Sequence, residues 1–336
     1  MAALQLSDLP EPTLRHILLA ATDHANLVRH VSVCARVCSS WRHAVSGSAS
    51  YGRGWPAGAG GQEEALRGPR RGRVLQRISV GLRNAHLPSE LRGVLDLNHW
   101  PTGPTPLGDE GGRVLGAALQ AMAAPLALTY IGLGFNRLTP VGLAPVLAGL
   151  RRPFAGDGLE ELIMSGNAGL GDAGVAALAA VLPATLEKLD LESAGCGNAG
   201  MVAIATRLPV LAQLEDLDLR KNPLVSSESA WQALGAALPQ LPALAKLSVS
   251  SCEGMGDTGI AALAVGLPRA AALTQLSLYS CNIGDAGARA LMSVLPSCEA
   301  LGELSLQDNA YRSETRAALV ELGTSTPTLT IHPNLR

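Results

Sequence analysis

The chain has 336 residues with 26 basic and 28 acidic side chains, 47% hydrophobic residues and only 3% aromatic ones. That length fits about two domains, a net charge of −2 offers no bulk field for nucleic acid or an anionic membrane, and 37 glycines and 21 prolines fall short of a disordered or collagen-like chain. A core so poor in aromatics has to be built from Leu, Val and Ala, which suits a repetitive lattice. Six scattered cysteines without a C-x-x-C pair point to a reducing compartment, cytoplasmic or nuclear, and not to a disulfide framework. The first residues meet Asp8 and two prolines before any apolar stretch long enough for a secretory leader, so none is expected.

Residues 1–45 hold two helical stretches. Leu14, Ile17 and Leu18 share one helical face, as do Val33, Val37 and Trp41, and a segment this small has to dock on something to bury them. The succession Leu9-Pro10, Leu14, Ile17, Leu18 and then Val37-Cys38-Ser39-Ser40-Trp41 resembles the F-box. That resemblance implies a small all-α domain that grips a Skp-type adaptor, and through it a cullin scaffold, by Leu9, Pro10, Leu14, Ile17, Leu18, Val37, Cys38 and Trp41. Cys34 and Cys38, one helical turn apart beside Val33 and Val37, read as packing residues and not as metal ligands.

Residues 46–73 are Gly- and Arg-rich and read as a linker, whose five arginines against two glutamates form a weak basic patch. Further on, Val114 to Asn136 runs 23 residues without a charge, long enough to cross a bilayer. Gln120, Pro125, Gly132 and Gly134 interrupt it and a repeat accounts for it, so a water-soluble segment is expected.

The repeat is the frame L-x-x-L-x-L-x-x-(N/C), which starts at Leu128, Leu159, Leu186, Leu214, Leu244, Leu273 and Leu301, spaced by 31, 27, 28, 30, 29 and 28 residues. Weaker copies stand at Leu75 and Leu95, and TLTI at 328–331 reads as a closing strand. Alternation within L-x-L predicts a short strand with leucines inward. Behind it, GDAGVAALAAVL (171–182), GDTGIAALAVGL (256–267) and GDAGARALMSVL (284–295) predict helices, with Asp172, Asp257 and Asp285 as their N-caps. One such unit cannot bury its own apolar face, but stacked copies can, so the fold class is an α/β solenoid over residues 74–336.

These copies resemble leucine-rich repeats of the ribonuclease-inhibitor type, which implies parallel strands lining a concave face and helices outside. In that pattern Asn136, Asn167, Asn222 and Asn309 are ladder residues that bond loop backbone, and Cys252 and Cys281 stand in the same slot as buried small residues. Ala194 departs from it, so its turn is expected to be less well tied. Gly169-Leu-Gly171-Asp-Ala-Gly174 is a literal G-x-G-x-x-G, but Asp172 would set a carboxylate where a pyrophosphate belongs, and the corresponding turns repeat the motif. No metal site, cofactor or nucleophile–base–orienter set is expected.

Joined to the F-box-like segment, the repeats imply the substrate-recognition subunit of a cullin-type (SCF) ubiquitin ligase: a non-catalytic receptor. The outward strand positions carry Glu160, Glu161, Glu187, Asp190, Glu192, Glu215, Asp216 and Asp218 against Lys188, Arg220 and Lys221. They predict an acidic stripe that prefers a protein substrate with a basic segment, with Tyr130, Phe135 and Tyr279 as aromatic contacts and a neutral hydroxyl surface, Ser248 to Ser280, beyond it. Two other readings stay open: a repeat protein that binds or inhibits by occlusion, and a small-GTPase regulator using an arginine such as Arg83 or Arg137. Lysine is scarce: Lys188, Lys221 and Lys246 stand against 23 arginines.

Overall fold

The computed structural model describes residues 93–99, 106–121, 126, 128–154, 156, 158–326 and 328–333. The F-box-like segment 1–45, with its eight adaptor-contact residues, the linker 46–73 and the weak repeat at Leu75 lie outside the described residues. The chain divides into two units, Met1–Leu159 and Glu160–Arg336.

In the first unit, strand β1 (Val94–Asp96) pairs in parallel with β2 (Tyr130–Gly132), with Leu95 opposite Ile131. Helices α1 (Gly108–Ala121) and α2 (Pro140–Leu150) follow them. The two helices touch through residues without bulk. A Cβ on Gly112 would lie 2.3 Å from the Gly142 carbonyl oxygen, one on Gly116 would lie 2.3 Å from Pro145 backbone, and one on Gly149 would lie 2.7 Å from Leu119. The uncharged run 114–136 thus holds the end of α1, up to Ala121, and strand β2. Among the described residues no helix is long and apolar enough to cross a membrane.

The second unit repeats one supersecondary step. Strands β3 (Glu161–Ile163), β4 (Lys188–Asp190), β5 (Asp216–Asp218), β6 (Lys246–Ser248), β7 (Gln275–Ser277), β8 (Glu303–Ser305) and β9 (Thr330–His332) pair in parallel in chain order. Between them run α3 (Gly171–Ala179), α4 (Asn198–Arg207), α5 (Glu228–Ala237), α6 (Gly256–Ala264), α7 (Asp285–Val294) and α8 (Ser313–Ser325). The register sets Leu162, Leu189, Leu217, Leu247, Leu276, Leu304 and Ile331 in one line, and its six leucines are at most 1% exposed. Ala and Leu from the helices meet this line, which is why so few aromatics suffice. Trp231 is the largest fully buried side chain, and Gly259 makes room for it: a Cβ there would stand 2.6 Å from the indole. Four helices close on a Leu-Pro pair that forms a 3-10 turn, as at Leu238–Gln240. Proline lacks the amide that would continue the helix, so the chain turns back to the next strand.

Two sets of polar side chains tie each coil to its neighbour. Asn222 donates to the carbonyls of Leu191, Leu219 and Arg220 and accepts from the Cys196 amide. Asn309 and Asn136 bond in the same way, and the Cys252 and Cys281 thiols donate to the Leu219 and Val249 carbonyls. Ala194 offers no such bond, yet the turn is held from the following coil, by Asn222 on Cys196 and by the Arg220 carbonyl on the Ser193 amide.

The aspartates are the second set, and here the structure corrects the sequence reading. Asp172, Asp257 and Asp285 sit in the first turn of their own helices, but each carboxylate caps the helix of the next repeat. Asp172 accepts from the Gly197 and Gly200 amides at 2.7 and 2.8 Å, and Asp257 from Gly284 and Gly287 at 2.7 and 2.8 Å. Asp285 accepts from the Arg312 amide and the Thr315 hydroxyl, Asp109 from Thr139 and Gly142, and Asn198 from Ser226 and Ser227. A carboxylate at a helix N-terminus meets unsatisfied amides and the positive end of the dipole. Space for it explains Gly200 and Gly287: a Cβ on Gly287 would lie 2.6 Å from the Asp257 carboxylate and one on Gly200 2.9 Å from that of Asp172, whereas Gly174 and Gly259 make room for Leu170 and Trp231.

Replacing Asp257 by Ala leaves the Gly284 and Gly287 amides at the start of α7 without their shared acceptor and is expected to cost about 1–2 kcal/mol, with Asp257→Asn costing less because its amide oxygen can still accept. Asn222→Ala, which leaves buried carbonyls and the Cys196 amide unpaired, is expected to cost at least about 2 kcal/mol. Urea unfolding at neutral pH measures both; equal stability of Asp257→Ala and the parent chain would refute capping across repeats.

Candidate functional site

The strands of the second unit offer a face of side chains in vertical columns, because parallel pairing without register shift stacks equivalent positions about 4.8 Å apart. The position before the inward leucine reads Glu161, Lys188, Asp216, Lys246, Gln275, Glu303 and Thr330. Charges of opposite sign alternate there, and Lys188 pairs with Asp216 at 3.8 Å. The position after the leucine reads Ile163, Asp190, Asp218, Ser248, Ser277, Ser305 and His332.

Asp190, Glu192 and Asp218 converge, with carboxylate oxygens all within 4.8 Å of one another. The protein meets their charge with its own cations. Arg220 holds Asp218 at 2.6 Å and Glu192 at 3.0 Å, and Lys221 holds Glu192 at 2.7 Å. Hydrogen bonding to Asp218 raises the Arg220 pKa. Burial raises the Asp190 pKa above the usual carboxylate value; the Glu192 amide and the Ser165 hydroxyl pull it back, while Asp218 and Glu192 push it further up. The expected acidic stripe is therefore partly self-neutralised. Glu187 and Glu215 are exposed at adjacent coils and make no ion pair among the described residues.

Beyond β5 the face turns neutral. The hydroxyls of Ser250 and Ser277 lie 2.7 Å apart, and Gln275 donates to Glu303 at 3.2 Å. Tyr279, 41% exposed, donates its phenol to the Asp308 carboxylate, which raises the phenol pKa. His332 and Glu303 lie 3.5 Å apart at the last strand.

Of the residues singled out from sequence, Asp190, Glu192, Asp218 and Arg220 form one ion-paired cluster, with Glu161 and Asp216 in the neighbouring column. Tyr279 stands apart on the neutral half. Tyr130 and Phe135 belong to the first unit. Tyr130 is half-buried over Gly132, and its hydroxyl accepts from the Asn98 side-chain amide at 3.0 Å. Phe135 is 39% exposed in a left-handed turn, with φ of 58°. Sequence reasoning missed the turn position just before the ladder residue, where Phe135, Ser193, Lys221, Ser251, Ser280 and Asp308 all have φ between 53° and 58°. Its signal was available in the repeat frame, where this position immediately precedes the N/C slot.

Cys252 and Cys281 are buried as expected, and so is Cys196. Burial pushes their pKa values up to about 12, about 11 and about 12 respectively. A thiol so far above its ordinary value holds almost no thiolate at pH 8.

A family model described as Leucine Rich repeat matches residues 159–179, 242–264 and 272–292. No curated protein matches the sequence. Among solved structures, a chain of the yeast Rad7–Elc1 complex aligns at 15% identity and TM-score 0.44, over 78% of this chain and 64% of that one. The chain thus spans less than two thirds of that relative. Internalin C2 from Listeria monocytogenes aligns at 20% identity and TM-score 0.40, over 78% of this chain and 83% of its own. A Bacteroides fragilis protein aligns at 12% identity and TM-score 0.34, over 62% and 65% of the two chains. Leucine-rich repeats are present in this chain, and its fold is an α/β leucine-rich-repeat solenoid. Such repeats are generally non-catalytic scaffolds that bind other proteins.

Two measurements follow. Iodoacetamide at pH 8 is expected to leave Cys196, Cys252 and Cys281 unlabelled until guanidinium unfolds the chain; labelling of the native protein at any of them would contradict the burial. Asp190 has a folded-state pKa above its unfolded value, so its ionisation costs stability as pH rises through that interval. Asp190→Asn should therefore unfold at higher urea than the parent at pH 7, and the gain should vanish on acidification below pH 4.

Proposed function

We propose that the chain is a substrate receptor of a cullin-type ubiquitin ligase, in which residues 1–45 dock on a Skp-type adaptor and the strand face holds a protein substrate. The observation that carries this reading is the pairing, in one chain, of the F-box-like succession Leu9-Pro10 to Trp41 with a long leucine-rich-repeat face of exposed charge and hydroxyl groups. Such a receptor needs no catalytic residue. It raises the local concentration of substrate lysines near the ubiquitin carrier, so catalysis comes from proximity. The part of the face from β3 to β5 has eight carboxylates against Lys188, Arg220 and Lys221, which supports a substrate with a basic segment.

The test is capture from cells of the chain's own source, with the tagged chain beside a version lacking residues 1–45. The full chain is expected to bring down a Skp-type adaptor and a cullin, and the truncation to lose both while keeping other partners. Reversing Asp190, Asp216 and Asp218 to Lys is expected to remove the basic partner and leave the adaptor. If neither version captures the adaptor, the chain is a binding or inhibitory repeat protein without a ubiquitin role.

A further inference from the structure

The chain's three lysines, Lys188, Lys221 and Lys246, all stand on the strand face of the second unit. Their placement is more specific than their number. Lys188 and Lys246 occupy one column on either side of Asp216, and Lys221 stands in the left-handed turn beside Arg220. Lys188 holds Asp216 and Lys221 holds Glu192, with side chains 41% and 60% exposed, and Lys246 is exposed. Lys188 and Lys221 each mask a carboxylate on this face, and all three amines face solvent. Arg220 is the other cation in the cluster, and its guanidinium does not react as an amine does.

We propose that this face is the chain's lysine-modification surface, and that acylation of Lys188, Lys221 and Lys246 switches it from partly neutralised to strongly acidic. The idea rests on the strand face being a binding surface. In the reaction the neutral Nζ attacks the carbonyl of an acyl thioester. The amide C–N bond forms, the C–S bond breaks, the electron pair leaves with the thiolate, and the proton lost from nitrogen ends on the thiol. Each event removes one positive charge. Between β3 and β5 only Arg220 then remains against eight carboxylates, and Glu192 and Asp216 lose their lysine partners. The acylated face gains affinity for a basic segment, whereas partner and acyl donor compete for the same surface.

The experiment uses the full chain and an N-acetylated nona-arginine peptide as probe. The chain is acetylated with the N-hydroxysuccinimide ester of acetic acid, in which a C–O bond takes the place of the C–S bond, and the modified nitrogens are located by mass spectrometry. Binding is read by titration at about 20 mM salt, where screening is weak. Acetylation of all three lysines is expected to tighten Kd by about tenfold, as each lost surface pair contributes a fraction of that factor. The variant Lys188→Arg/Lys221→Arg/Lys246→Arg should keep the starting affinity and ignore the reagent, and the matching Lys→Gln variant should behave like acetylated protein. Near 300 mM salt the difference should largely collapse.

If acetylation at the three sites leaves Kd within twofold while Glu187→Gln/Glu215→Gln weakens the probe, the face reads charge but the lysine switch is wrong. If neither change moves the probe, the charge reading of the strand face falls as well. Circular dichroism of each variant separates both results from loss of fold.

Discussion

In the second unit no coil satisfies all of its strand and turn backbone by itself, and nearly everything else there follows from that. Each strand finds its hydrogen-bond partners one coil away, the ladder amides of Asn222 and Asn309 span two coils, and the first-turn aspartates Asp172, Asp257 and Asp285 each cap a helix that is not their own. The apolar side obeys the same constraint, because a single row of inward leucines is buried only when the next row covers it. Stability is then a chain of nearest-neighbour terms. A polar link such as Asp172 on Gly197 and Gly200 contributes to an interface, so damage there uncouples two repeats more than it unfolds either one.

That dependence explains the sequence motifs better than a ligand would. G-D-x-G recurs because the aspartate must reach forward and the second glycine must leave room in the packed turn, for the previous repeat's aspartate at Gly287 and for Leu170 and Trp231 at Gly174 and Gly259. A dinucleotide fingerprint and this turn share a physical theme, an anion at the amides of a helix N-terminus, although Gly174 itself packs on Leu170. Here the anion is supplied by the chain.

Much of this was legible in the sequence. The leucine frame placed the strands, as at Leu189 and Leu217, and the Gly-Asp turns placed the helices, because both patterns arise within a few residues of one another. What stayed hidden was which individual polar side chain meets which partner about 28 residues away. Asp257 looked like the cap of its own helix because local spacing cannot tell a carboxylate in the first turn from one aimed at a neighbour. The Asn98 amide that holds the Tyr130 hydroxyl was hidden too, because alternation sets a side chain's face but not its partner. The acidic stripe was counted from outward positions, yet counting cannot show that Arg220 and Lys221 fold back onto Glu192 and Asp218.

The face that results is built by two different rules. In the column of Glu161, Lys188, Asp216 and Lys246, opposite signs alternate, which is the arrangement that stabilises stacked strands. Glu187 and Glu215 break the rule one position earlier, with like charges on adjacent coils, and Asp190 is kept ionisable at a burial cost between Asp218 and Glu192. The alternation of sign therefore does not extend to these positions. The stretch from β3 to β5 thus sets carboxylates against one another and offsets them in part with Arg220 and Lys221, whereas the serine-rich stretch from β6 to β8 holds no such cluster among the described residues.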